Sequence, residues 1–280
     1  MKKYLLPALI ALLAIVLTVF SVRTIQDHMQ KNAESAARQE ALEQTTESTV
    51  RVLENTEFVK EKEELIDEAI WTGSDIYTFL QGPQAWENGV TWSGEWCSFI
   101  VNGNSFGNFG CGFCCMANIY DTLSAYEVSP WDMCEYTMEF SGYAPTRKSG
   151  ALDWGNMKVI FKKCGFSCDV YYKPDSYETF QQQMTQAKSA VALVCSNDDD
   201  TFWKDTSGHY VNIWLYRAED DTVFLAEPGS PENNRTRIPL RYVYDALKTT
   251  SKFQYLLIDE YTEENNQWKA DGIVESWKQM

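Results

Sequence analysis

Histidine occurs only twice in 280 residues, proline eight times, and basic residues number 24 against 40 acidic ones. The shortage of positive charge leaves a formal net charge of −16. That excludes nucleic acid as a partner, because binding phosphate backbones needs clustered Lys and Arg that this chain lacks. The shortage of histidine confines acid-base chemistry to very few side chains. His28 lies in a charged N-terminal segment with little sign of a packed core, so His209 is the one imidazole the folded part offers. A single imidazole excludes designs that orient a base with a second histidine. Cys111-Gly112-Phe113-Cys114 has the spacing of a zinc-binding pair, but no second such pair accompanies it. Cys164 and Cys168, three residues apart, keep a zinc site only as a rival reading. Apolar residues are not scarce: 44% hydrophobic and 14% aromatic content suffices for a substantial core.

Charge is absent from Tyr4 to Val22, which follows Met1-Lys2-Lys3. At about 1.5 Å per helical residue this stretch is long enough to cross a bilayer core of roughly 30 Å. The preceding lysines favour a cytoplasmic N-terminus and place everything after Arg23 outside. Residues 1–22 are therefore expected to be a transmembrane signal-anchor, with the globular part extracytoplasmic. The competing reading is a signal peptide cleaved near Val19-Phe20-Ser21 and a secreted protein. Residues 23–70 are rich in Glu, Gln, Lys and Ala and contain neither Gly nor Pro, which predicts a helical stalk. Its apolar positions keep no strict heptad, so a coiled-coil dimer is the minor reading and the oligomeric state stays open. Trp71-Thr72-Gly73 opens the globular part, residues 71–260, and 261–280 reads as a polar tail.

Within the globular part, Gly82 to Gly110 reads mostly as loop. Ser129-Pro130 looks like an N-cap followed by proline at the first helical position, predicting a helix to about Phe140. Further helices are expected over Leu152 to Lys163 and Ser176 to Ala187, and strands over Ser167 to Tyr172 and Ala190 to Cys195. Thr236 to Leu247 suggests a strand edge and a short helix, and Phe253 to Ile258 alternates like a last strand. Helices first and a mainly antiparallel sheet afterwards make an α+β architecture.

The chain centres on Asn104 to Leu123, where a glycine-rich approach delivers Cys111 to the start of a helix. Gly110 and Gly112 flank the cysteine and leave its thiol approachable. Gly112, Met116, Ile119 and Leu123 recur at helical spacing, so the helix is expected to be amphipathic. The unpaired N–H groups of a helix N-terminus favour a thiolate over a thiol. Free cysteines are more often small buried hydrophobes, and what distinguishes Cys111 is the rest of the constellation. Ser207-Gly208-His209-Tyr210 opens an alternating strand to Tyr216, and the strand Thr222 to Ala226 ends at Glu227-Pro228-Gly229. A hairpin turn between Arg217 and Asp221 puts Glu227 opposite His209 or one diagonal step away, on the same face. A nucleophilic thiol needs a base, and the base needs an orienting group. Cys111, His209 and Glu227 supply those parts.

These stretches, GCGFCCMANIYDTLS, SGHYVNIWLY and VFLAEPGSP, resemble the C39-like branch of the papain-like cysteine peptidases over roughly Thr78 to Ile258. The resemblance implies a papain-like fold whose helical half carries the nucleophile and whose sheet carries the base. It also implies hydrolysis of peptide bonds in a peptide or protein substrate, with no cofactor. In Phe79-Leu80-Gln81-Gly82-Pro83-Gln84-Ala85-Trp86 it implies Gln81 as the oxyanion-hole side chain, although Gln84 is equally near the tryptophan. Two departures stand out: Glu227 occupies a position where Asp is usual, and Phe113-Cys114-Cys115 replaces the common Pro-Thr-Ser. Rival functions are a cell-wall amidase or acyltransferase using the same Cys-His chemistry, and a non-catalytic peptide-binding module. Setting Cys111 aside leaves an odd number of cysteines, so at least one stays unpaired in any compartment, and spacing does not fix connectivity. The loop Ser196 to Ser207, with Asp198-Asp199-Asp200 and Phe202-Trp203, is expected to border the cleft.

Overall fold

The computed structural model describes residues 75–196 and 202–268. The expected anchor (1–22), stalk (23–70), aspartate run (198–200) and most of the tail lie outside the described residues. No helix among the described residues is long and apolar enough to cross a membrane.

The chain enters with an extended segment, residues 77–82. Its backbone is bound by partners distant in sequence: Leu80 N–H donates to Trp92 O and Gln81 N–H to Pro228 O. The following loop contains helix α1 (Pro83–Glu87), a 3-10 turn (Glu95–Ser98), a two-strand ribbon of β1 (Ile100–Val101) and β2 (Asn104–Ser105), and a single turn of helix, α2 (Phe106–Phe109). Helix α3 (Cys111–Leu123) starts after Gly110. Gly110 is required by packing, because a Cβ there would stand 2.3 Å from the Phe106 ring.

Helix α4 (Pro130–Ser141) begins as its sequence indicates, on a capping box. The Ser129 side chain accepts from Asp132 N–H, and Asp132 reaches back to Ser129 N–H, satisfying two of the donors that a helix start leaves unpaired. Helix α5 (Trp154–Lys163) is capped by Asp153, which accepts from Gly155 and Asn156. Then come β3 (Cys164–Tyr171), α6 (Tyr177–Gln186), β4 (Ser189–Val194), β5 (His209–Arg217), β6 (Thr222–Ala226), β7 (Thr236–Pro239), α7 (Leu240–Ala246) and β8 (Tyr255–Asn266). The strands form one antiparallel sheet in the order β3-β8-β4-β5-β6-β7. The protein is thus an α+β protein.

Strand alternation places the sheet between two cores. Val191, Tyr210, Trp214, Phe224, Leu256 and Ile258 pack with the side chains of α3, α4 and α5. Their neighbours Ala190, Ala192, Val211, Ile213, Leu225 and Leu257 pack with α6 and α7. Strand β8 runs past Glu260, where a polar tail was expected, because β3 continues to pair with it as far as Cys164 opposite Asn266. Glu264 and Asn265 there are exposed, Glu263 is half-buried and accepts from Tyr126 Oη, and Asn266 and Trp268 are buried. Asn266 Nδ2 donates to Tyr120 Oη at 3.0 Å, tying this strand end to α3.

Helix α3 departs from the amphipathic expectation. Every residue from Gly112 to Leu123 is buried, and Cys111 is its one residue that is not. Its polar residues are tolerated inside because they bond to backbone and side-chain groups. Asn118 Oδ1 accepts from Phe79 N–H (2.7 Å) and its Nδ2 donates to Asn212 Oδ1 (3.0 Å). Thr122 Oγ1 accepts from Tyr77 N–H (3.0 Å), and Asp121 Oδ1 from Val128 N–H (2.9 Å). The helix is therefore fastened to the incoming segment, to β5 and to the start of α4.

Candidate active site

Cys111 stands at the first turn of α3, half-buried in the wall of a cleft of about 870 Å³ that passes between the helical half and the sheet. As the first helical residue, its N–H is among those with no intrahelical acceptor. Its thiol is near enough to His209, the first residue of β5, to help raise the imidazole's pKa. Residues Gly208 and Tyr210, on either side of this histidine, also line the cleft.

His209 is gripped from behind. Its Nε2 is bound to Glu227 Oε1, so Nδ1 is the ring nitrogen that this carboxylate does not hold. Register explains the meeting: Asn212 pairs with Ala226, so Glu227 falls opposite Val211 and one diagonal step from His209. The hairpin reaches this register through a bulge between Trp214 and Arg217, where Leu215 takes a φ of +48°. Gly229 completes the seat. A Cβ at that position would approach the imidazole to 3.1 Å, closer than the ring permits without moving.

Glu227 is itself buried, 2% exposed, and needs partners to remain ionised there. Besides His209 it has two: Trp203 Nε1 donates to Oε2 at 2.7 Å, and Gly229 N–H donates to Oε1 at 2.9 Å. Burial pushes this carboxyl up, but the His209 charge and these hydrogen bonds outweigh it and hold the group below its ordinary range. The converse holds for His209. Burial pushes the imidazole down, while the Glu227 charge and the bonds to Cys111 and Glu227 lift it to about 10. His209 therefore carries a proton at neutral pH. Trp203 is the site residue that sequence reasoning missed, and its one signal was its position shortly before the Gly-His element.

Gln81 lies on the segment joined to the acid's own loop, since Gln81 N–H donates to Pro228 O at 2.9 Å. The same loop is fixed a second time by Asn234, whose Oδ1 accepts from Glu227 N–H and whose Nδ2 donates to Thr78 O. Gln81 Nε2 donates to Gly107 O at 2.9 Å, one turn before Cys111. Gln84 is exposed on α1. The structure brings Cys111, His209 and Glu227 together, with a hydrogen bond between the last two, and ties Gln81 to the turn leading into α3.

The remaining cysteines take no part. All eight are free thiols, and all but Cys111 are buried. Burial pushes the thiols of Cys114 and Cys115 well above their usual range and that of Cys97 to about 11. Among the described residues, no three His, Cys, Asp or Glu side chains gather into a group that could hold a metal ion. In comparison with known proteins, the chain matches no family model and no curated sequence.

Proposed function

We propose that the chain is a cysteine peptidase of the papain-like, C39-like kind, hydrolysing peptide bonds through Cys111, His209 and Glu227. The observation that carries this reading is the chain of contacts at the end of α3. The helix exposes a single side chain, a thiol, and that thiol meets an imidazole backed by a buried carboxylate. A nucleophile on a helix N-terminus facing a base on an antiparallel sheet also fits the papain-like arrangement that the sequence motifs imply.

In this mechanism the protonated His209 stands beside the sulfur and favours its thiolate. Cys111 Sγ attacks the substrate carbonyl carbon, and the developing oxyanion takes hydrogen bonds from Cys111 N–H and from Gln81 Nε2. His209 Nδ1 then gives its proton to the leaving amine, which departs and leaves a thioester. Water, deprotonated by the now neutral imidazole, hydrolyses that thioester and restores the resting pair. Glu227 keeps the ring oriented and stabilises its charge throughout. No step calls for a cofactor. The N-terminal apolar stretch would anchor the enzyme in the membrane with this domain outside, or, if cleaved, release it.

The test is covalent labelling with a peptide vinyl sulfone followed by peptide mapping. Cys111 should be the modified residue; Cys111→Ala should abolish both labelling and turnover with the fold intact, and His209→Ala should come close. Gln81→Ala should lower the rate by roughly 10²–10³, the loss typical of one oxyanion donor. Labelling at another cysteine, or labelling of Cys111 without hydrolysis of any peptide, would sink the proposal. Release of amino sugar-linked peptides from peptidoglycan, with proteins and peptides left uncut, would replace it by the amidase reading.

A further inference from the structure

The charge of the cleft runs against the charge of the chain. Acidic residues outnumber basic ones 40 to 24 overall. Yet among the described residues Arg147, Lys148, Lys248 and Lys252 line the cleft with Asp153 as the one carboxylate. Asp153 is already engaged as the cap of α5, accepting from Gly155 N–H, Asn156 N–H and Asn156 Nδ2. Among the described residues, none of the four cations is within ion-pair distance of a carboxylate.

They stand on both walls. Arg147 and Lys148 occupy the tip of a tight turn closed by Thr146 and Ser149. That turn is pinned to the approach of the nucleophile helix: Asn104 Nδ2 donates to Thr146 O and Asn102 Nδ2 to Pro145 O. On the sheet side Lys248 Nζ donates to Ser207 O at 2.5 Å, beside the Gly208 that precedes His209. Lys252 lies four residues on, with its Nζ 5.4 Å from the Phe253 ring centre. Like charges facing one another across a cleft raise its energy when empty and focus an attractive field on an anionic occupant. Of its apolar lining, Phe253 is half-buried beside Lys252, while Phe109 and Leu152 are buried.

We infer that the substrate of this peptidase is an acidic peptide, with Asp or Glu side chains flanking the scissile bond and an apolar residue set against Phe253. Apolar surface beside the cations favours a peptide over a phosphate polymer, which has nothing to place there. The inference rests on the peptidase reading for its reaction, but not for its binding.

Three quenched fluorescent peptides, identical except for Glu, Gln or Lys on both sides of the cleaved bond, decide it with the full-length protein. At low salt kcat/KM should fall in the order Glu, Gln, Lys, with the first about tenfold or more above the last. Raising the ionic strength should compress that spread. Replacing Arg147, Lys148, Lys248 and Lys252 together by Gln should erase it, bringing the kcat/KM values of the three peptides together. The Arg147→Gln/Lys148→Gln pair, confined to an exposed turn, should erase part of it and serves if the fourfold variant folds poorly. Equal rates for the three peptides at low salt, or a preference that survives the fourfold change, would overturn the inference and leave the peptidase reading standing. Fluorescence anisotropy with Cys111→Ala separates the two ideas from the other side. Selective binding of the Glu peptide without hydrolysis of any peptide by the unmodified protein would retain the acidic-peptide site and sink the peptidase. Displacement of the Glu peptide by polyphosphate at far lower concentration than by unlabelled Glu peptide would assign the cations to another kind of polyanion and overturn it.

Discussion

His209 and Glu227 hold each other's charge, and each consequence has a sign that an experiment can read. The imidazole is lifted from 6.5 to about 10 in the folded protein. Its contribution to stability is therefore complete below about pH 6.5 and is lost as pH rises through about 10. Glu227 is lowered from 4.5, so its contribution is present above that value and lost as pH falls through its lower folded value. The melting temperature should accordingly decline between pH 6.5 and 10, and His209→Gln should flatten that decline whatever its absolute stability. Glu227→Gln keeps the size of the side chain but can no longer stabilise an imidazolium; kcat should drop by roughly 10² or more with KM little changed. Trp203→Phe removes one donor from the same carboxylate and should fall between the unmodified protein and Glu227→Gln in kcat. Were Glu227→Gln fully active, another group would have to orient the imidazole. The cysteine, histidine and glutamate were legible because glycine and proline punctuate the chain beside each of them. Trp203 was not, since a tryptophan after an acidic run carries no spacing rule that points to a carboxylate beyond the next strand.

Helix α3 transmits whatever holds its sides to the residue at its tip. Asn118 is the fastening most exposed to mutation: Asn118→Ala would leave the Phe79 N–H and the Asn212 side chain without their partner inside the core. Stability should fall by about 2 kcal/mol or more, read from the denaturation midpoint. Asn118→Asp, which restores the acceptor but not the donor, should recover only part. The start of this helix was readable from Gly110, yet its burial on all sides was not. Asn118, Asp121 and Thr122 look like a solvent face in sequence, and only the distant backbone of Tyr77, Phe79 and Val128 reveals that they are bonded inside. Strand β8 was shortened for a related reason, because polar residues beyond Glu260 follow no apolar alternation while still pairing with β3. Helix α4 shows the opposite case. Ser129, Pro130 and Asp132 specify its start within four residues, without help from the rest of the fold.

For the whole molecule, the layered order of helical half and sheet followed from the succession of helix-period and strand-period segments, whereas strand order did not. Placing β8 between β3 and β4 depends on pairings between segments far apart in sequence. The expected anchor at residues 1–22 leads to a separate prediction. Protease added outside intact cells should reach this domain, and mass spectrometry of the mature N-terminus should find Met1 to Val22 retained; a chain beginning at Val22 would mean secretion instead. The distribution of the eight thiols has a further use. With one at the cleft and the others in the core, the folded molecule should take up a single alkylating group quickly and an unfolded one eight. A mass spectrum of a briefly alkylated sample is then a census of two populations, and the rate at which the heavier peak grows is the rate of global opening. The protein carries its own unfolding clock, read at its buried cysteines.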